Sequence, residues 1–392
     1  MKVLALTGIR SEFDIILPVL KALTANGFEV GVVVSGAHIS DWHGNTVSFI
    51  ENEGFRIVDR IDSLFMTNRK TQRVKGIGAL LIGLAQTVER ENPDFLLVVG
   101  DREESIAAAL VGNYMNVPVA HFAGGDPVYG NADDPIRHAV SKLAHIHFVI
   151  TDQHRENLER MGEESFRIFN VGNPSLDRLR VEPELSLQEI SRALEYDLTD
   201  GNYILLIKHP LSSEAENAYQ QMKTTLEALK ALGQKRGLKT VGIYPNTDPG
   251  SFDLLAAIEE YKGVPYIKFF KTLERGIFIN LARRAKALVG NSSMGILEAP
   301  FLKLPVVNVG DRQQGRFNCG NVRFVPYDTE IIQAEIIKAC YDQEYRSYVQ
   351  SLKSVYGNGH TGEKVVAILK EIDPNDKKWL LKKLNYLEEV KE

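Results

Sequence analysis

The chain opens Met1-Lys2-Val3-Leu4-Ala5-Leu6-Thr7-Gly8-Ile9-Arg10-Ser11-Glu12-Phe13, and Ile15-Ile16-Leu17-Pro18-Val19-Leu20 follows. An apolar run closed by a small-residue turn, then apolar residues at helical spacing, reads as a strand entering a helix. Similar runs recur at Glu29–Val34, Phe95–Val99, Val119–Phe122, His147–Ile150 and Arg167–Val171. Strands that are apolar throughout and alternate with amphipathic stretches belong to a parallel sheet covered on both faces. Val171-Gly172-Asn173-Pro174 breaks the pattern, which restarts at Tyr203–Ile207, Lys239–Tyr244, Val264–Phe270, Ala287–Val289 and Pro305–Val309. The expected architecture is therefore α/β, with two Rossmann-like doubly wound domains facing a cleft. We place them at 1–172 and 173–375, with the joint inside 172–200. A helix over 376–392, carrying Trp379, Leu380, Leu381, Leu384, Leu387 and Val390, is expected to dock back.

The length of 392 residues exceeds the size at which a single core stops growing, which fits two domains. With 46 Lys+Arg against 51 Asp+Glu, the net charge of −5 offers no basic excess for nucleic acid or an anionic membrane. Any polyanion it binds is small and met locally. Two cysteines, Cys319 and Cys340, argue against a disulfide framework and for a reducing cytoplasm. The N-terminal run lacks the form of a signal peptide, and no stretch reaches the roughly 20 apolar residues of a membrane span.

Functional groups of a doubly wound sheet collect at the carboxyl ends of its strands. At the first such end, Arg10 and Ser11 stand beside turn amides that suit an anion, although Arg10 could equally form a structural ion pair. The G-x-G-x-x-G fingerprint is absent, which disfavours a dinucleotide dehydrogenase. Asp101 closes the strand Phe95–Val99, where it either serves chemistry or caps a helix. After Val119–Phe122 come Gly124, Gly125 and Asp126, then Asp133, Asp134, Arg137 and His138. Asp134 before Pro135 also suits a helix N-cap. In the second half, His209 stands at a strand end. Gly290-Asn291-Ser292-Ser293-Met294-Gly295-Ile296-Leu297-Glu298 offers hydroxyls and backbone N–H groups at a helix start, a diphosphate cradle with Glu298 within reach of a ribose diol.

Together these segments, with Gly310-Asp311-Arg312-Gln313-Gln314-Gly315-Arg316 and Tyr356-Gly357-Asn358-Gly359-His360, resemble the hydrolysing UDP-N-acetylglucosamine 2-epimerases of sialic and legionaminic acid pathways, which have the two-domain GT-B fold. The resemblance covers nearly the whole chain. It implies a UDP-linked 2-acetamido sugar as substrate, with Asp101, Asp126, Asp133, Asp134 and His209 in catalytic roles. It further implies that Arg10, Ser11, Gly124, Gly125, Arg137, His138, Asn246, Ser292, Ser293, Glu298, Arg312 and Arg316 contact substrate. No cofactor or metal is demanded, and a homodimer or homotetramer is implied. One departure stands out: many members carry Glu at the place of Ala123 or Asp126. The implied reaction expels UDP, removes the C2 proton to leave a glycal, and hydrates it to the free 2-epimer. A non-hydrolysing epimerase, a GT-B glycosyltransferase and a non-catalytic nucleotide-sugar sensor are the alternatives.

Overall fold

The computed structural model describes residues 1–41, 45–65, 71–127, 133–245, 250–383 and 385, with the backbone alone at Asp133 and Ser212. The chain divides into two compact units, Met1–Arg178 with Gly357–Glu392, and Leu179–Tyr356.

The first unit is built on seven strands: β1 (Lys2–Thr7), β2 (Glu29–Ser35), β3 (Arg56–Ile61), β4 (Phe95–Val99), β5 (Val119–Phe122), β6 (Ile146–Val149) and β7 (Ile168–Asn170). They pair in parallel in the order β3-β2-β1-β4-β5-β6-β7. Because successive side chains of a strand point to opposite faces, β1 divides its residues between two cores. Val3 and Ala5 pack with Phe13, Ile16 and Leu20 of the helix Arg10–Ala25, while Leu4 and Leu6 pack with Leu80, Leu84 and Ala107–Ala109. The uninterrupted apolar run at the start of the chain thus reflects helices on both sides of the sheet.

The second unit repeats the plan with β8 (Tyr203–Ile207), β9 (Lys239–Ile243), β10 (Ile267–Phe270), β11 (Leu288–Gly290), β12 (Val306–Val309) and β13 (Val322–Val325). These are parallel throughout, in the order β10-β9-β8-β11-β12-β13. Each sheet has one switch point where strand order reverses, between β1 and β4 and between β8 and β11. That is where open α/β sheets hold ligands.

Three expectations are corrected. Strands β3 and β13 were not anticipated; both lie at sheet edges, and Arg-Ile-Val-Asp-Arg-Ile and Val-Arg-Phe-Val carry charge on their wet sides. Residues 357–375 belong to the first unit, not the second. The helix Thr361–Glu371 places Val365, Val366 and Leu369 in the core beneath β1, and Asp177 accepts from the backbone N–H of Thr361 (2.9 Å) and Gly362 (2.7 Å) at its start. The first unit accordingly runs to Arg178 before the chain leaves it. Finally, among the described residues the terminal helix is a single turn, Lys377–Leu380. This turn and the residues after it are held by side chains: Arg167, fully buried, donates to the carbonyls of Lys378, Trp379 and Leu381, and Lys382 donates to those of Ser141 and Lys142. Leu384, Leu387 and Val390 lie outside the described residues.

Candidate active site

In the first unit the loops after β1, β4 and β5 and the helix Asp133–Leu143 bring the acids together. Asp101 follows β4 but caps nothing; Arg102 is the N-cap residue of the helix Glu103–Met115. The Asp101 carboxylate instead accepts from Arg137 Nε at 2.9 Å and from a second guanidinium nitrogen. The remaining arm of Arg137 donates to the Asp126 carbonyl at 2.8 Å and lies 3.3 Å from its carboxylate. Arg137 is buried, so one guanidinium fixes two carboxylates from different strand ends. His154 approaches the other Asp126 oxygen at 3.5 Å.

This bracket is itself held. Ser141 Oγ donates to the Arg137 carbonyl and faces His121 Nδ1 at 3.3 Å; His121 Nε2 meets the Gly100 carbonyl at 2.7 Å. Burial pushes His121 down to about 3, so the ring is neutral and serves as a link between strand end and helix. The turn before Asp126 is tight. A Cβ on Gly125, at φ 75°, would lie 2.4 Å from the His154 carbonyl, and one on Gly124 would meet Ser141 Oγ at 2.8 Å. Ala123 occupies the left-handed region at φ 62°.

Asp134 lies within the helix that begins at Asp133, and its carboxylate stands 3.3 Å from His138 Nε2, one turn on. The side chain of Asp133 is outside the described residues. Arg10 and Ser11 are exposed; Arg10 stacks over Phe49 at 4.5 Å with Asp14 at 3.7 Å, and the Gly8 amide beside them donates to Glu12 at 3.1 Å. The structural reading of Arg10 therefore accounts for its present contacts.

Sequence reasoning passed over a second acidic group in this unit. Glu12 and Glu104 are buried and share Arg102, whose Nε lies 3.8 Å and 3.5 Å from them. Burial, with Glu104 nearby, drives the Glu12 carboxyl up to about 8, and the Asp101 charge adds to the shift. Glu12 is thus a protonated acid at neutral pH, within electrostatic range of Asp101. The adjacent pair Glu103-Glu104 after Asp101-Arg102 was the available signal.

In the second unit the loops after β8 and β11 lock together. The His209 amide donates to Asn291 Oδ1 at 2.7 Å, and Asn291 Nδ2 returns a bond to the His209 carbonyl at 2.8 Å. The Asn291 carbonyl accepts from Arg312 at 3.2 Å and Gln313 at 3.1 Å, and Arg316 donates to Gln313 Oε1. Asn291, read only as part of a motif, is therefore the hub that joins His209 to the arginine loop. Gly290 permits the approach: at φ 125°, a Cβ there would lie 2.1 Å from the Ile207 carbonyl. Ser292 Oγ accepts from the Met294 amide, but the helix that follows is only Met294–Leu297, so the cradle rests on one turn and not on a long helix dipole. Glu298 ends that turn, half-buried, and desolvation raises its carboxyl against the opposing charge of Arg275. Lys208, also unremarked in the sequence, is buried beside His209; desolvation lowers it to about 7, and its Nζ bonds Tyr327 OH at 3.0 Å. Asn246 lies outside the described residues.

The switch-point loops of the first unit are rich in carboxylates, and those of the second in hydroxyl, amide and guanidinium donors. A family model described as UDP-N-acetylglucosamine 2-epimerase matches residues 21–370. The chain belongs to that family. A UDP-N,N'-diacetylbacillosamine 2-epimerase (hydrolyzing) of Legionella pneumophila is 32% identical over 95% of this chain and 96% of its own. A GDP/UDP-N,N'-diacetylbacillosamine 2-epimerase (hydrolyzing) of Campylobacter jejuni is 32% identical, covering 74% of this chain and 75% of its own. Among solved structures, a UDP-GlcNAc 2-epimerase from Neisseria meningitidis bound to UDP-GlcNAc superposes with a TM-score of 0.77 at 22% identity, covering 95% of this chain and 100% of that one. The fold of this epimerase-family chain is accordingly the two-domain α/β architecture of the GT-B type.

Proposed function

We propose that this chain is a hydrolysing epimerase acting on a UDP-linked 2-acetamido sugar, either UDP-N-acetylglucosamine or a 2,4-diacetamido counterpart. The observation that carries the reading is the Asp101–Arg137–Asp126 bracket, which holds two carboxylates from neighbouring strand ends on one buried guanidinium. The C2–H of such a sugar is not next to a carbonyl and is weakly acidic. In the proposed reaction the C1–O bond to UDP breaks, the electron pair leaves with UDP, and a carboxylate takes the C2 proton as the C1–C2 double bond forms. Water then adds its oxygen to C1, giving up one proton to a carboxylate, while an acid returns a proton to C2 from the opposite face. Carboxylates also offset the cationic character at C1 as the leaving group departs.

The acid roles fall to Asp101, Asp126 and the Asp133-Asp134 pair, with Glu12 as a neutral proton-bearing group behind them. On the leaving side, His209, Ser292, Ser293, Arg312 and Arg316 receive the diphosphate charge, and Glu298 the ribose. The hydrolysing outcome is supported by the two relatives at 32% identity named as hydrolyzing 2-epimerases, whereas a relative at 31% and others at 23–25% carry the plain epimerase name. Incubation with UDP-N-acetylglucosamine, and separately with the diacetamido nucleotide, in D2O is expected to release UDP and a free 2-epimer deuterated at C2, read by proton NMR. An epimer that keeps its nucleotide would indicate the non-hydrolysing reaction, and transfer to an acceptor without deuterium at C2 a glycosyltransferase.

A further inference from the structure

The strands β5 and β6 are neighbours in the sheet, so the turn that carries Asp126 after β5 lies against the helix Asp152–Arg160 that follows β6. The fit is close. A Cβ on Gly125 would lie 2.4 Å from the His154 carbonyl and 3.1 Å from Leu158 Cγ, and Asn157 Nδ2 donates to the Gly125 carbonyl at 2.9 Å. Thr151 caps the helix, its Oγ1 accepting from the His154 amide at 3.2 Å, so His154 stands on an anchored first turn. The two oxygens of Asp126 are divided between two partners: Oδ2 lies 3.3 Å from Arg137, and Oδ1 3.5 Å from His154 Nε2. The side chain of His154 is 8% exposed and that of Asp126 16%, so the carboxylate keeps a face that a substrate atom can reach while the imidazole supports it from behind.

A carboxylate with so little water around it holds its charge only where cations or donors face it. Arg137 is always protonated, so its support is constant. His154 differs. At 3.5 Å its contact with Asp126 is an ion pair rather than a good hydrogen bond, and its strength follows the charge on the ring. With the ring protonated, Asp126 stands between two cations and stays ionised; with the ring neutral, one support is gone and the carboxylate takes a proton more readily. On the same helix Asp152 accepts from Asn170 at 2.7 Å, Arg155 pairs with Glu159 at 3.2 Å, and the exposed Glu156 accepts from Gln153. Among the described residues the charged groups that meet the ring are therefore Asp126, on the turn after β5, and Arg137 across it, on the helix Asp133–Leu143.

We propose that His154 is a positioning residue for the reaction: it seats the Asp126 carboxylate against Arg137, and the charge on its ring governs whether that carboxylate holds a proton. This rests on the epimerase reading above. His154 touches no substrate and acts through Asp126.

The first test needs no turnover. In the full chain labelled with 13C-histidine, the imidazole signal of His154, assigned by its loss in His154→Gln, is followed against pH with Asp126 intact and in Asp126→Asn. The His154 midpoint is expected to fall by about one pH unit when the carboxylate is removed; an unchanged midpoint would overturn the proposal. The second test is kinetic. His154→Gln keeps a donor near the position of Nε2 but cannot carry a charge; kcat on the UDP-linked sugar is expected to fall about tenfold with KM within about twofold. The limb of the kcat/KM profile set by Asp126 should move up by about one pH unit, whether that acid gives or takes the proton. His154→Ala, which removes donor and charge together, should lose more. Full activity of the Gln variant with the original pH profile would make His154 a structural contact and overturn the proposal. If the wild-type chain turns over neither UDP-N-acetylglucosamine nor the diacetamido nucleotide, the epimerase reading fails, and the histidine titration alone decides whether His154 governs Asp126.

Discussion

Arg137 decides where two acids point, so the consequences of changing one of them are separable. Asp101→Asn keeps the shape and one acceptor for Arg137 but removes the base; we expect kcat to fall about a thousandfold or more while UDP affinity, measured by calorimetry, changes less than about threefold. Equal loss of both would assign Asp101 to binding or folding. Glu12 makes a second prediction, in pH. Its carboxyl ordinarily titrates near 4.5 and is raised to about 8 here, chiefly by burial. Between those values the folded chain holds a proton that the unfolded chain has lost, so the contribution of the neutral acid is fully present below 4.5 and is lost as pH rises through about 8. Glu12→Gln cannot ionise, so its thermal midpoint should fall less than the wild-type midpoint between pH 6 and pH 9, by a few degrees. Equal falls would show that Glu12 is not the group concerned. At this scale the sequence offered Asp101, Asp126 and His209 as candidates because they follow strand ends, and Arg137 because it stands in the Asp-Asp-Pro-Ile-Arg-His run that became the helix Asp133–Leu143. It did not disclose Glu12 or Glu104, since nothing in a one-dimensional pattern says that two carboxylates 92 positions apart share one arginine.

Among the elements, β11 and its turn are the most constrained. Gly290→Ala puts a Cβ 2.1 Å from the Ile207 carbonyl at a backbone angle that side chains rarely adopt. We expect a cost of about 2 kcal/mol or more, with loss of the His209–Asn291 interlock. Weakened UDP binding together with a lower melting transition is the expected signature; unchanged affinity would show that the interlock is not needed for the nucleotide. Central strands such as Phe95–Val99 and Tyr203–Ile207 were legible to the residue because both faces are buried. The edge strands β3 and β13 were not, because a strand with one wet side carries Arg and Asp and loses its apolar signature. The helix after Ser293 was over-read for a related reason: hydroxyl and glycine residues mark where a helix can start, and say nothing of where Pro300 and the turn before it will stop it.

For the whole molecule, the chain crosses from one unit to the other twice, and the return is what the sequence concealed. Residues 357–375 have ordinary helical periodicity, which does not say against which sheet a helix packs. The tail makes this testable. A chain ending at Asp376 loses Trp379, which packs on Phe166 and Phe169, and strips buried Arg167 of three backbone acceptors. We expect the first unit to melt earlier by several degrees, while the transition of the second unit, marked by its stabilisation with added UDP, stays in place. A shift of both would contradict the division of the tail. Lys382, whose amine is pulled down to about 8 by burial, closes the carboxyl end of the Asp133–Leu143 helix, so the same truncation should also lower kcat through Arg137.

That twofold crossing sets an order in time. The helix Thr361–Glu371 completes the core beneath β1, and the partners of Arg167 come later still. Both emerge only after the intervening 179–356 segment has been made. At roughly 5–20 residues per second on the ribosome, that segment holds the first unit incomplete for about 10–40 s, with the core face of β1 and the helix Arg10–Ala25 awaiting their cover. The second unit is continuous in sequence and can close during that interval, so the part of the protein translated first is the part finished last.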